Sequence, residues 1–290
     1  MDSSGISVTA LFTGQVWYVN GLSARFFTSA RSRWLYGLLQ PSERLGRALL
    51  GLSVEDMLLQ RHLVMDHRID RLVREQGLSQ ILEIACGYSP RGYKLSRKYP
   101  GLRYVEADLP DMAARKNRLL ARHHGFGPDH QVVPCDIFAQ RAPLGLEHLM
   151  AETLDPDRPT LVITEGLVNY FRLRDIRPVW SRLAMQLSRF PRGWYLTDTV
   201  LAPGGLAAPV LGLGVHTLSL VTRAHVNLHF RRDEDIQTSF THCGFPHVRP
   251  HRPEDFVEQL PVPLHATGRH SPVRVVECEA QLQPGKTHQS

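Results

Sequence analysis

The stretch Ile81-Leu-Glu-Ile-Ala-Cys-Gly-Tyr-Ser-Pro-Arg-Gly-Tyr93, with Tyr104-Val-Glu-Ala-Asp-Leu-Pro110 after it, constrains this chain more than any other feature. An apolar run ends in a small-residue turn at Gly87, and a helix-compatible segment follows. A second apolar run then ends in acids, Glu106 nineteen and Asp108 twenty-one residues after Gly87. This is the layout of a nucleoside-binding βαβ unit. Glycine lets the backbone come close to a ligand, and an acid at the tip of the second strand accepts hydrogen bonds from ribose hydroxyls. The three-glycine dinucleotide pattern is not met, because Ala85 stands where the first glycine of the turn belongs. A nucleoside cofactor without a diphosphate fits better, and S-adenosylmethionine is the expected one. Ala85 is compatible with such a turn provided its φ is negative.

From Gly77 onward the pattern alternates. Strands are expected over Gln80–Ala85, Leu102–Ala107, His130–Cys135, Thr160–Thr164, Trp194–Thr197, Pro246–Arg249 and Val273–Glu279. Helices are expected over Arg91–Lys98, Asp111–His123, Asp175–Arg189 and Asp233–Cys243. Such alternation predicts an α/β, doubly wound and mainly parallel sheet. Residues 1–76 read as helical. Ser53-Val-Glu-Asp56 resembles a helix start, Leu58 to Val73 carry helical periodicity, and Gly77 is a stop. The sequence thus divides into a helical, substrate-side segment over 1–76, a cofactor-binding domain over 77–282, and a polar tail over 283–290 expected to be disordered.

Ligands of open α/β sheets bind beyond the carboxyl ends of the strands. That rule nominates Ala85–Gly87, Glu106–Asp108, Cys135–Asp136, Thr164–Gly166 and Asp198–Thr199, and four of these five ends carry a carboxylate. Glu106 and Asp108 share one side of their strand. Asp108 is favoured for the ribose, with Glu106 as the competitor. Asp136 could accept from an adenine amino group or cap the turn from Ile137 onward. Glu165 would face the amino-acid part of the cofactor or the substrate. Tyr170 orders the same pocket or is an ordinary core tyrosine.

The charge of +6 on 290 residues is mild, and its cations are interleaved with acids, so a nucleic-acid partner is not expected. Cys86, Cys135, Cys243 and Cys278 form no CxxC pair, which suits reduced thiols in a cytoplasmic setting. No signal peptide and no membrane span is read.

Three motifs together resemble the leucine carboxyl methyltransferase family, in its bacterial secondary-metabolism branch. They are Glu83 to Arg91, Val105 to Pro110 with Arg115-Lys116, and Ile163-Thr-Glu-Gly-Leu-Val-Asn-Tyr170. The likeness covers residues 55–200 best. It implies a Rossmann-like class I methyltransferase sheet of seven strands, the seventh inserted antiparallel at the edge. It implies S-adenosylmethionine at Gly87, Asp108, Asp136 and Glu165, and an arginine from the helix before the first strand, either Arg61 or Arg68. The cofactor set expected is Arg61, Glu83, Ala85, Gly87, Glu106, Asp108, Cys135, Asp136, Ile137 and Glu165, with no metal. Ser89 stands where the family carries an aspartate.

Methyl transfer from a sulfonium to oxygen is an in-line displacement in which positioning supplies most of the catalysis. A carboxylate acceptor needs a cationic clamp such as Arg61 or Arg223; a hydroxyl needs a base. Glu165, Tyr170 and His225 are the expected residues at the reacting centre, His225 being one of three histidines, with His216 and His229, in or beside an apolar insertion over 199–231. That insertion is either a substrate lid or a packed helical pair. The expected acceptor is a small-molecule carboxylate or hydroxyl. A homodimer is left open. N- or C-methylation, a nicotinamide enzyme and a non-catalytic binding protein are the rival readings. The absence of an Asn/Asp-Pro-Pro-aromatic motif after Thr164 argues against nucleic-acid amino methylation.

Overall fold

In the computed structural model, the described residues are 3–123, 126, 129–140, 142–202, 226–264 and 270–281; residues 3–8 and 50 are described by backbone only. Three helices lead: α1 (Ser3–Val19), α2 (Ala30–Leu50) and α3 (Val54–Gln76). Ser53 caps α3 in a reciprocal capping box with Asp56, and Gly77 ends it at φ +71°, as the local sequence predicts. The rest alternates: β1 (Gln80–Ile84), α4 (Arg91–Lys98), β2 (Arg103–Asp108), α5 (Pro110–Arg122), β3 (His130–Pro134), α6 (Leu146–Thr153), β4 (Thr160–Thr164), α7 (Leu173–Leu187), β5 (Gly193–Val200), α8 (Asp233–His242), β6 (His247–His251) and β7 (Val273–Glu279).

The seven strands form one sheet in the order β3-β2-β1-β4-β5-β7-β6. β1 to β5 run parallel, while β7 pairs antiparallel with both β5 and β6. The antiparallel strand therefore lies inside the sheet, and β6 forms the edge.

Alternation along each strand feeds two cores. Leu82, Ile84, Val105, Ala107, Val162, Tyr195, Val276 and Cys278 face α6, α7 and α8. Ile81, Tyr104, Leu161, Ile163, Trp194, Leu196 and Val275 face α3 and α4. Trp180 of α7 is fully buried against Phe240 of α8, ring centroids 4.2 Å apart; truncating a side chain of that size costs about 3–5 kcal/mol. A separate small cluster of Phe12, Val16, Leu35, Leu39 and Leu58 welds α1, α2 and α3 together. No helix among the described residues is long and apolar enough to cross a membrane.

Candidate active site

The carboxyl ends of β1, β2 and β4 converge on a cleft of about 160 Å³, and α1 closes it from above with Thr9, Ala10, Phe12, Thr13 and Trp17. The first turn carries two departures from ordinary backbone. Gly87 sits at φ +46°, and Ala85 at φ +55° is the single non-glycine residue with positive φ among those described. The negative φ expected at Ala85 is therefore not what the turn adopts. It forces this residue into the left-handed region, where a Cβ costs about 1–2 kcal/mol. That strain marks the position where the sequence lacks a glycine.

Asp108 ties this turn to the next. Its Oδ2 accepts from Gly87 N at 2.7 Å and its Oδ1 from Leu109 N at 2.8 Å. Burial raises its carboxyl above the usual range, and these two N–H groups oppose the rise. A carboxylate has about four acceptor sites, so two remain for a ligand.

On the other side of the cleft Glu165 is held from three directions. Arg61 Nε donates to it at 3.1 Å and Arg91 Nη2 at 2.7 Å, and His62 Nδ1 lies 3.1 Å away. Burial pushes its carboxyl up, but Arg91, His62 and Arg61 outweigh burial and hold it well below the usual carboxylate range. Arg61 also lies 3.4 Å from Asp198, which accepts from Gly166 N at 2.6 Å. Burial raises the Asp198 carboxyl despite Arg61. Gly166 sits at φ +67°, and a Cβ there would come within 2.7 Å of the Arg61 guanidinium. Glycine is thus needed twice over, for the turn and for the arginine packed against it. Beneath, Arg91 is fully buried and binds Glu83 and Asp66 at 2.7 Å each. The cluster sets three cations, Arg61, Arg91 and Lys94, against four carboxylates, Asp66, Glu83, Glu165 and Asp198. Leaving His62 out of the count, its net charge is −1.

Of the residues expected at the site, Arg61, Glu83, Ala85, Gly87, Asp108, Glu165 and Tyr170 line the cleft. Tyr170 bonds Thr9 of α1, and burial raises its hydroxyl pKa. Glu106 does not line the cleft. It points to the same side as Asp108 but lies one strand repeat deeper, where Lys116 Nζ donates to it at 2.8 Å and His130 Nε2 lies 3.3 Å away. Gly92 of α4 covers it so closely that a Cβ would be 2.5 Å from its Oε1. Arg68, the alternative to Arg61, forks onto Glu277 of β7. Cys135, Asp136 and Ile137 are also outside the cleft lining. Cys135 is buried, and burial pushes its thiol to about 12. The Asp136 carboxylate is used within its own turn, accepting from Phe138 N at 2.9 Å. His216, Arg223 and His225 fall in 203–225, outside the described residues. His229 donates from Nε2 to Val168 O at 3.4 Å, and burial lowers its pKa.

Three contributors escape the sequence reading. Asp198 is marked there as a strand end but carries no role. His62 follows Arg61 and points about 100° away from it around the helix, yet it too reaches Glu165. Arg91, within the Ser89-Pro-Arg motif, is the link between Glu83 and Glu165.

A sheet of this order with β7 reversed, and a strand-end acid bound to a glycine turn, define the class I methyltransferase fold. Solved structures agree on the fold. A DUF574-family protein of Streptomyces avermitilis matches with a TM-score of 0.59 at 16% identity, covering 93% of this chain and 97% of that one. A protein of Thermobifida fusca assigned as a methyltransferase matches at 0.57 and 16% identity, covering 88% and 90%. Residues 15–183 match the model of the leucine carboxyl methyltransferase family, and the chain belongs to that family. A curated relative, the tetracenomycin polyketide synthesis O-methyltransferase TcmP of Streptomyces glaucescens, is 24% identical over 121 residues. That match spans 42% of this chain and 39% of the relative.

Proposed function

We propose that the protein binds S-adenosylmethionine in this cleft and methylates an oxygen of a small-molecule acceptor. The observation that carries the reading is the donor set across the cleft: Asp108 on one wall, and the net-negative Arg61–Glu165–Asp198 cluster on the other. The residues fit the group. Asp108 would take the ribose hydroxyls on its two open acceptor sites. Arg61 keeps N–H donors beyond those aimed at Glu165 and Asp198, which suits a carboxylate. The excess negative charge suits the cofactor's ammonium and sulfonium groups, and an approaching cation would draw the raised Asp198 and Glu83 carboxyls back to their ionised forms.

The cofactor supplies a methyl group already activated on sulfur, so the chain's task is orientation and exclusion of water. Trp17, Phe12 and Leu58 give the cleft an apolar wall beside Tyr170. On the α1 side, Ala10 lies against the Gly87 turn, 3.4 Å from where a Cβ would be. Both ends of the insertion 199–231 are tied to Asn169, whose Oδ1 accepts from Val200 N and whose Nδ2 donates to Asn227 O. Residues 203–225 of the insertion, where a lid is expected, lie outside the described residues. An acceptor oxygen that is anionic without help, such as a carboxylate, would need no base from the residues that line the cleft. The name of the Streptomyces relative supports O-methylation; the identity of its acceptor is not carried over.

Isothermal titration tests the assignment. S-adenosylhomocysteine should bind with a stoichiometry of about one and NAD should give no heat. Heat from NAD alone would overturn it.

A further inference from the structure

The inner face of α2 packs on α1 and α3 through Leu35 and Leu39. Its outer face is not what a solvated helix shows. Trp34 and Leu49 are each 67% exposed, Leu38 57% and Leu45 58%. At about 100° per residue these four side chains fall within about 60° of one another, with exposed Ala30, Pro41 and Ala48 flanking them on one side. Single exposed leucines need no explanation, but a continuous stripe along a helix does.

The order of the stripe identifies its occupant. Trp34 and Leu49 lie equally far on either side of a point between Pro41 and Ser42, and so do Leu38 and Leu45. A two-fold axis through that point turns the stripe onto itself, which is what a symmetric contact between identical surfaces requires. We infer that α2 packs antiparallel against α2 of a second copy of this chain, Trp34 against Leu49 and Leu38 against Leu45, with the compact Pro41 and Ser42 at the crossing. Charge permits the register. No arginine of α2 falls opposite another: Arg44 meets the level of Leu39 and Arg47 that of Tyr36. Arg47 is moreover already neutralised by Asp56 at 2.8 Å. An anionic lipid surface could use the same apolar face and its arginines, but it has no need of the mirrored spacing. A helix this long, about 10–12 Å across, buries roughly 800 Å² over both copies, at the small end for specific interfaces. The dimer is therefore reversible.

Sedimentation velocity across roughly 1–200 μM tests the inference. The wild type should pass from monomer to dimer. The double variant Leu38→Glu/Leu45→Glu should remain monomeric with an unchanged thermal midpoint, since neither side chain is buried in the monomer. All four native cysteines are buried, so mild oxidation of Ser42→Cys should give a disulfide-linked dimer while Arg122→Cys gives none. A wild type that stays monomeric throughout the range overturns the inference, and co-sedimentation of that monomer with phosphatidylserine vesicles would assign the stripe to lipid. A dimer that survives the double variant, or fails to cross-link at position 42, places the contact elsewhere and overturns it equally.

Discussion

Glu106, inside β2, and Glu165, just past the end of β4, are both carboxylates of the sheet bound by a basic side chain at 2.7–2.8 Å. Their surroundings differ. Glu106, Lys116 and His130 have fully buried side chains under α4. Glu165 has Arg61 beside it, whose side chain is 16% exposed toward the cleft. The first cluster is closed, so everything it contributes goes to folding. The second has donors and charge left over on its open side, and that surplus is what a ligand can use. Residue type does not separate the two; depth along the strand, and the access it leaves, does.

The sharpest way to break this contrast is to remove one partner of the closed cluster. Lys116→Met should leave Glu106 buried beside His130 alone and cost about 3–5 kcal/mol in urea unfolding. Adding Glu106→Gln should recover most of that loss. A Lys116→Met protein of unchanged stability would mean that Glu106 is protonated and that the cluster is no ion pair.

The open side should respond in binding instead. Asp108→Asn should weaken S-adenosylhomocysteine by ten- to a hundredfold, about 1.5–3 kcal/mol, and change stability far less. Acid should do the same to the wild type. Burial raises the Asp108 carboxyl, so protonation begins at a higher pH than for a solvent-exposed aspartate. Affinity should then fall as pH drops through that value, while the Asp108→Asn variant should give a flatter profile. Equal affinities for both proteins at pH 7 would move the ribose contact elsewhere.

The smallest effect concerns the turn between the clusters. Ala85→Gly should relieve the left-handed alanine and stabilise the fold by about 0.5–1 kcal/mol, the gain being reduced by glycine's larger entropy when unfolded. A destabilised Ala85→Gly protein would show that the alanine methyl contributes more packing than its backbone costs.

The strands were legible because their apolar runs are bounded by turn residues, and β1, β2, β4 and β7 fall within a residue or so of their expected limits. The reversal of β7 came only from the family likeness, since periodicity carries no direction. The arginine was ambiguous for a geometric reason. Arg61 and Arg68 are seven residues apart and share a helical face, so only about 10 Å of helix length sends one to Glu165 and the other to Glu277. Glu106 was drawn toward the site by the same logic that placed Asp108 there. Two residues of strand, about 7 Å, carry one beyond the end of α4 and leave the other beneath it. The crossing of α1 over Gly87 had no local signature, because it depends on how three helices pack against each other before they meet the sheet.

The placement of β7 has a consequence for the order in which the chain can be assembled. Among the described residues, β5 finds its outer neighbour only in residues 273–279, and β6 pairs with nothing but that same strand. As the polypeptide emerges from the ribosome, the first five strands can join while the outer edge of β5 stays open, its hydrogen-bonding groups unpaired. β6 then waits without a partner until the last strand slides between them. A message cut short before Val273 would yield a product with most of its hydrophobic core and a bare strand edge, a species prone to aggregation rather than a smaller working protein.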